Sequence, residues 1–184
     1  MYWKAVGWLA LEHLHVRDDA NGVHADGLIV GTFDGAPLRV HYQLECDRGW
    51  RTSAIRVNDL NTDERIELQH PASEGWRESN GAERADLADA IDVDIAATPF
   101  TNTLPIRRLR LDPGRAQEVT VVYIAVTPSL SFRPVRQRYT RLASAADSDR
   151  YLYESLESEF KRELVVDPNG FVIDYPDVWH HALA

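Results

Sequence analysis

Between Leu38 and Cys46 every even-numbered residue is apolar and every odd-numbered residue is polar. Successive side chains of a β-strand point to opposite faces of the sheet, so this period of two predicts a strand with one buried and one solvated face. A comparable strand is predicted at 27–33. The linking residues 34–37 carry the Asp-Gly pair that is typical of a hairpin turn. This part of the chain is therefore predicted to form an antiparallel sheet.

Further strands are predicted by the same alternation or by runs of β-branched residues, at 52–57, 65–69, 91–95, 106–111, 119–126, 161–166 and 171–175. The last two flank Asp167-Pro168-Asn169-Gly170, a strong hairpin connector. Pro128 and Pro134 bracket an extended stretch, 129–133, that is expected at a sheet edge or in a crossover. Residues 70–90 read as a surface loop with one helical turn near 84–90.

These segments together predict a mainly β fold. We expect a single domain over residues 1–184, built as a mostly antiparallel sheet of ten or more strands with one or two short helices. Sheets of that size curl or close on themselves. A curled or closed sheet of this kind is compatible with an internal cavity but does not require one.

Composition excludes several functional classes. The chain has 20 Lys and Arg against 29 Asp and Glu, a formal net charge of −9, which disfavours general nucleic-acid binding. Cys46 is the single cysteine, so no disulfide framework or cysteine-based zinc cluster is predicted. The longest apolar run, 119–126, is too short to span a membrane, and the N-terminus does not resemble a signal peptide. A cytoplasmic protein is expected.

The charged residues between 92 and 110 are the most informative polar feature. On strands, Asp92 and Asp94 would share one face, and Arg107 would lie on an apolar stripe with Leu109 and Leu111. A buried Arg is costly unless an anion meets it, so Arg107 is predicted to pair with one of the acids or with an anionic ligand. Both alternatives stay open: a structural ion pair, or direct contact with a ligand.

Five strings of the sequence resemble one known family: 7–14 (GWLALEHL), 92–95 (DVDI), 98–109 (TPFTNTLPIRRL), 137–140 (QRYT) and 174–176 (DYP). They are similar to those of the bacterial glycolipid-binding proteins, a former domain of unknown function. The resemblance spans nearly the whole chain. It implies a curved antiparallel sheet, a half-barrel similar to periplasmic lipoprotein carriers, around a cavity that holds a lipid or glycolipid. It supplies no catalytic residues.

An amphipathic ligand needs apolar walls and a few convergent polar groups for its head. Ten residues are candidates for ligand contacts. They are charged side chains, other polar groups on predicted strand faces, and residues of the family strings: Glu12, His13, Asp92, Asp94, Asn102, Arg107, Arg108, Gln137, Tyr139 and Tyr175. The main hypothesis is a non-catalytic protein that holds an amphipathic small molecule, without cofactor. Its oligomeric state is not readable from the sequence.

Two other functions stay open. Asp92 and Asp94 would lie roughly 7 Å apart on one strand face, near the separation of glycosidase carboxylates, so an enzyme acting on a sugar-containing or lipid-like substrate is one alternative. A plain interaction module with a solid aromatic core is the other. His13 and His15 share a strand face but lack a third ligand, so no metal site is predicted.

Overall fold

A computed structural model of the chain describes residues 1–71, 74–144 and 147–182. Its strands are β1 (Tyr2–Ala5), β2 (Ala10–Asp19), β3 (Gly22–Phe33), β4 (Ala36–Cys46), β5 (Thr52–Asp59), β6 (Arg65–Gln69), β7 (Arg77–Glu78), β8 (Ala90–Ile95), β9 (Ala116–Ala125), β10 (Ser131–Ser144), β11 (Asp149–Ser155), β12 (Lys161–Val166), β13 (Val172–Tyr175) and β14 (Trp179–His181). Two 3₁₀ turns, Ala85–Leu87 and Phe100–Asn102, and one helix, α1 (Thr103–Leu109), complete the fold.

All fourteen strands belong to one sheet, in the order β7-β6-β5-β4-β3-β2-β1-β14-β13-β12-β11-β10-β9-β8. Neighbouring strands are antiparallel except for the parallel pair β8 and β9. The first and last strands pair in the middle of the sheet, with Trp3 opposite His181. The predicted mainly β, mostly antiparallel architecture is therefore confirmed.

The sheet is curved and open, with β7 and β8 as its two edges. Strong right-handed twist makes large sheets curl, and here the curl brings the two edges towards each other. Trp76, which precedes β7, donates a hydrogen bond from Nε1 to the carbonyl oxygen of Ala90 at the start of β8, at 2.9 Å. The result is a half-barrel with a concave inner face, as the family resemblance implied.

The segment that contains α1 fills part of this inner face. Phe100 is fully buried and stacks between Tyr42 of β4 and Phe171, with ring centroids 6.3 and 6.2 Å apart. Leu104 and Ile106 of α1 are buried as well. Two distant parts of the sheet are thus packed against one short internal segment.

Several local predictions are confirmed. The 27–33 and 38–46 strands pair as β3 and β4, and the hairpin at Asp167–Gly170 joins β12 to β13, with the Gly170 N–H donating to the Asp167 carbonyl at 2.8 Å. The helical turn predicted near 84–90 is the 3₁₀ turn Ala85–Leu87. Among the described residues no helix is long and apolar enough to cross a membrane.

The predicted strand at 106–111 is wrong, because α1 extends to Leu109. Pro105 lies in the first turn of α1, where a missing N–H costs no intrahelical bond. The helix ends where Arg110 adopts a left-handed conformation, φ 48°, and donates its N–H to the Ile106 carbonyl. The apolar residues of this short buried helix are spaced in a way that resembles the alternation of a strand.

Residues 129–133 do not lie at a sheet edge or in a crossover as predicted. From Ser131 onward they form the start of β10, an internal strand of 14 residues. Pro134 explains the misleading signal. It pairs with Val122 of β9, but β11 joins the other side of β10 only from Gln137 onward in the described part of the chain. A proline is tolerated where the ladder is one-sided, so this stretch resembles an edge locally.

Candidate functional site

A cavity of about 430 Å³ opens on the inner face of the sheet, between β8, β10, β11 and the β13–β14 end. Pockets for small ligands usually measure about 300–1,000 Å³. A larger groove of about 550 Å³ lies on strands β2 to β6. Charged side chains such as Arg17, Glu45 and Arg56 line that groove, and no Phe, Tyr or Trp does. The inner cavity has the apolar character that an amphipathic ligand needs.

Six aromatic side chains line the inner cavity: Phe33, Tyr123, Tyr153, Phe160, Tyr175 and Trp179. The centroid of Phe160 lies 6.0 Å from that of Tyr153 and 6.4 Å from that of Tyr175, so three of the rings form one continuous wall. Tyr153 and Tyr175 are buried, whereas Phe160 is 39% exposed and lies at the opening. Strand alternation on β11 and β13 turns both tyrosines inward.

The polar end of the cavity is built around Asp94 of β8. One carboxylate oxygen accepts a hydrogen bond from Nε2 of Gln137 on β10 at 2.6 Å, and the other accepts one from the Thr101 hydroxyl at 3.0 Å. Asn102 also lines the cavity, and its side-chain oxygen accepts a hydrogen bond from the Tyr139 hydroxyl at 2.9 Å. The 3₁₀ turn before α1 thus supplies two of the groups that hold this end in place.

Burial raises the pKa of Asp94, and the hydrogen bonds from Gln137 and Thr101 partly offset that rise. Burial raises the pKa of the Tyr153 and Tyr175 hydroxyls as well, and the nearby Asp94 carboxylate raises both further. The Asp94 carboxylate is thus close enough to both phenol groups to disfavour their ionisation.

Charged residues of both signs lie at the opening. Arg133 and Glu157 line the cavity there and form an ion pair. The Arg133 guanidinium also lies over the Tyr123 ring, 5.8 Å from its centroid. Both charged side chains are largely exposed, so this pair contributes little to stability.

Asp92 lies outside the cavity lining and has a different partner. Its carboxylate is fully buried and accepts two hydrogen bonds from Arg108 of α1, at 3.0 Å from Nε and 2.6 Å from Nη2. Burial raises the pKa of Asp92, and the Arg108 guanidinium lowers it in part. The hypothesis of a paired catalytic site requires Asp92 and Asp94 to line one cavity. They share a strand face, but only Asp94 lines the inner cavity.

Arg107 is not the buried arginine that the strand pattern predicted. Because this stretch is helical, Arg107 points towards the β12–β13 turn, where its guanidinium lies 4.8 Å from the Trp50 ring centroid. It donates a hydrogen bond to the Asn169 carbonyl oxygen at 3.1 Å, and Asp18 is 3.8 Å away. The arginine that forms the buried pair with an aspartate is Arg108.

Glu12 is fully buried directly behind the cavity. The Tyr42 hydroxyl donates to its carboxylate at 2.5 Å, and the Thr98 hydroxyl, which lines the cavity, donates at 2.7 Å. Burial raises the pKa of Glu12 to about 7, despite the opposing effect of these hydrogen bonds. His13, the next residue, faces the outer side, where its ring stacks on Tyr2 at 4.7 Å.

The structure brings four of the ten predicted residues into the cavity lining: Asp94, Asn102, Gln137 and Tyr175. Tyr139 and Glu12 stand behind it and contact its lining residues, whereas Asp92, Arg107, Arg108 and His13 lie elsewhere. The ten predicted contacts do not include three lining residues, Tyr123, Tyr153 and Phe160. Tyr153 had a signal in the sequence, because Tyr151 and Tyr153 are two apart on one strand and so share its buried face. Among the described residues no group of three His, Cys, Asp or Glu side chains is placed to hold a metal ion.

The family model described as "Putative glycolipid-binding" matches residues 1–181. The chain belongs to this family. Among solved structures it is similar to a DUF1089 family protein from Pseudomonas aeruginosa, with a TM-score of 0.82 and 33% sequence identity over 94% of this chain and 92% of that one. No curated protein matches it. The curved sheet described above is thus an architecture found in a related protein.

Proposed function

We propose that this protein binds an amphipathic, lipid- or glycolipid-like molecule in the inner cavity, without transforming it. The observation that carries the proposal is the lining of the cavity, an aromatic wall at Tyr153, Phe160 and Tyr175 with a hydrogen-bonded polar end at Asp94 and Gln137. Family membership supports the same class of ligand.

The size of the cavity defines how such a ligand binds. About 430 Å³ is near the lower end of the range for small-ligand pockets, so the cavity holds part of a lipid rather than all of it. The polar groups Asp94, Asn102 and Gln137 lie at its inner end, and the apolar Phe160 lies at its opening. The head group therefore enters first, and the apolar chain leaves past Phe160.

The test is native mass spectrometry of the protein purified from its own host, followed by denaturing extraction of any bound molecule. The matched variants are Ala96→Phe, which places a ring in the cavity, and Ala116→Phe, which places the same ring at an exposed position of β9. We expect a bound amphiphile on the wild-type and Ala116→Phe proteins and none on Ala96→Phe.

Two results contradict the proposal. One is a wild-type protein that carries no ligand and gains no thermal stability from any member of a panel of lipids and glycolipids, because a ligand that binds the folded state must raise its melting temperature. The other is an amphiphile that stays bound to Ala96→Phe in the same proportion, which would place its site outside the cavity.

We also propose the cytoplasm as the compartment of this protein. The support is that Cys46, the single cysteine of the sequence, is free and buried, which is compatible with a reducing environment. Fractionation of the host with compartment markers tests this. Recovery with the periplasmic or extracellular markers would contradict it.

A further inference from the structure

Asp94 is half-buried, and it differs from the fully buried aspartate of the same strand, Asp92, in having no cationic partner in the described part of the chain. Asp92 is neutralised by Arg108, whereas only the uncharged Gln137 and Thr101 offset the burial of Asp94. Taking a carboxylate out of water without a counter-charge is costly. Its two hydrogen bonds orient the group but leave its charge unbalanced.

Asp94 also differs from Glu12, another buried or half-buried acid that has no basic side chain paired with it in the residues that the structure describes. The hydroxyls of Tyr42 and Thr98 enclose Glu12, which does not line the cavity. Asp94 does line the cavity, so a ligand that enters can reach its carboxylate. Of these two acids, only Asp94 has its charge open to a ligand.

The surrounding rings provide a second attraction for positive charge. The π face of an aromatic ring attracts a cation within about 6 Å of its centroid, and quaternary ammonium groups are recognised in this way. Two guanidinium groups already lie over rings of the cavity lining: Arg162 lies 5.1 Å from the Phe160 centroid, and Arg133 lies 5.8 Å from the Tyr123 centroid. Tyr153, Tyr175 and Trp179 line the cavity further inside.

We propose that the head group held in the cavity is an ammonium, bound between the Asp94 carboxylate and the aromatic wall of Tyr153, Phe160 and Tyr175. This rests on the proposed function, since it takes the cavity as the ligand site. An ammonium balances the charge of Asp94, which an uncharged sugar does not. An anionic head group is repelled by Asp94, and both arginines that lie over rings of the lining already have acidic partners: Arg133 pairs with Glu157, and Arg162 lies 3.8 Å from Asp177.

The experiment compares three amphiphiles with the same chain and different heads: octyltrimethylammonium, octyl glucoside and octyl sulfate. Binding to the intact protein is measured by calorimetry, below the concentrations at which micelles form. We expect octyltrimethylammonium to bind at least 10-fold more tightly than either of the others. In Asp94→Asn we expect the affinity for octyltrimethylammonium to fall about 30-fold or more. A loss of about 30-fold is the lower end of the range for removing one member of a buried, hydrogen-bonded charge pair.

Two variants complete the design. Asp26→Asn removes the same charge from the exposed outer face and leaves the affinity for octyltrimethylammonium unchanged. Phe160→Leu removes one ring from the opening, where Phe160 is partly exposed, and lowers that affinity about 5-fold, since a cation–π contact contributes about 1 kcal/mol. This second variant tests the idea even if Asp94→Asn does not fold.

The outcomes separate the two proposals. If octyl glucoside or octyl sulfate binds as tightly as the ammonium and Ala96→Phe abolishes that binding, the ammonium proposal is wrong and the cavity remains the amphiphile site. The same holds if Asp94→Asn folds and keeps full affinity for octyltrimethylammonium. If none of the three binds, the cavity is not an amphiphile site and both proposals are wrong.

Discussion

Replacing Glu12 by Gln is expected to change how the stability of this protein depends on pH. The carboxylate of Glu12 is fully buried and accepts hydrogen bonds from the hydroxyls of Tyr42 and Thr98, and no basic side chain among residues 1–71, 74–144 and 147–182 is paired with it. Gln keeps the size of the side chain and one acceptor oxygen, and its amide can donate to one of the two hydroxyls. The variant therefore removes the ionisation and retains the packing.

The magnitude follows from the pKa of Glu12, which burial raises from 4.5 to about 7. In the pH window between these values the folded chain holds a proton that the unfolded chain has released, so the free energy of unfolding falls as the pH rises. One pKa unit corresponds to about 1.4 kcal/mol. The contribution of Glu12 to the free energy of unfolding therefore falls by about 3 kcal/mol as the pH rises from 4.5 to about 7. Above about pH 7 it is lost.

The assay is urea unfolding of wild type and Glu12→Gln at intervals between pH 5 and pH 8. We expect Glu12→Gln to gain about 2–3 kcal/mol relative to wild type as the pH rises across this range. Glu45→Gln, an exposed position on β4, is the matched control and stays parallel to wild type. A constant difference between wild type and Glu12→Gln at all pH values would refute the reasoning.

Three further changes test the packing around the site. Asp92→Asn leaves the partly buried Arg108 without its counter-charge and is expected to lower the free energy of unfolding by about 3 kcal/mol in urea titrations; an unchanged midpoint would contradict that pairing. Phe100→Ala empties the space in the core next to Tyr42 and is expected to cost about 3–5 kcal/mol in the same assay. Gly27→Ala would place a Cβ 2.2 Å from the Tyr42 ring, so we expect a loss of about 1–3 kcal/mol and a lower melting temperature, whereas wild-type stability would show that the ring moves freely.

The sequence was most informative where local patterning decides structure. Alternation at Leu38–Cys46 predicted β4 because a half-buried strand imposes a period of two on its side chains. The turn at Asp167–Gly170 likewise identified a hairpin from four residues, because its Asp and Gly favour the backbone that the turn needs. Both signals are local and do not depend on the rest of the chain.

The helix at Thr103–Leu109 shows where local patterning misleads. Seven residues give too few turns for a helical period to stand out, and Pro105 looks like a break although it is tolerated in a first turn. That error placed Arg107 and Arg108 on the wrong faces, so Arg107 rather than Arg108 was expected to be the buried arginine that needs an anion. A short helix packed inside a sheet owes its stability to tertiary contacts, which its own sequence does not encode.

The cavity itself depends on contacts between residues far apart in the chain. Asp94 and Gln137 meet because β8 and β10 flank β9, and that strand order includes a parallel pairing that no local signal indicates. The pairing of Trp3 with His181 in the middle of the sheet is equally invisible to local patterning. The sequence could therefore supply candidate residues, but not which of them share a cavity.

NMR of the backbone amides can locate the ligand and so tests whether the inner cavity is its binding site. An amphiphile is titrated into the labelled protein below its micelle concentration, and the amides that shift are mapped. We predict that the shifts cluster at residues 94–102, 133–137, 153–160 and 175–179, around the cavity. Shifts confined to the outer groove, at residues 24–26, 43–45 and 54–56, would contradict binding in the inner cavity.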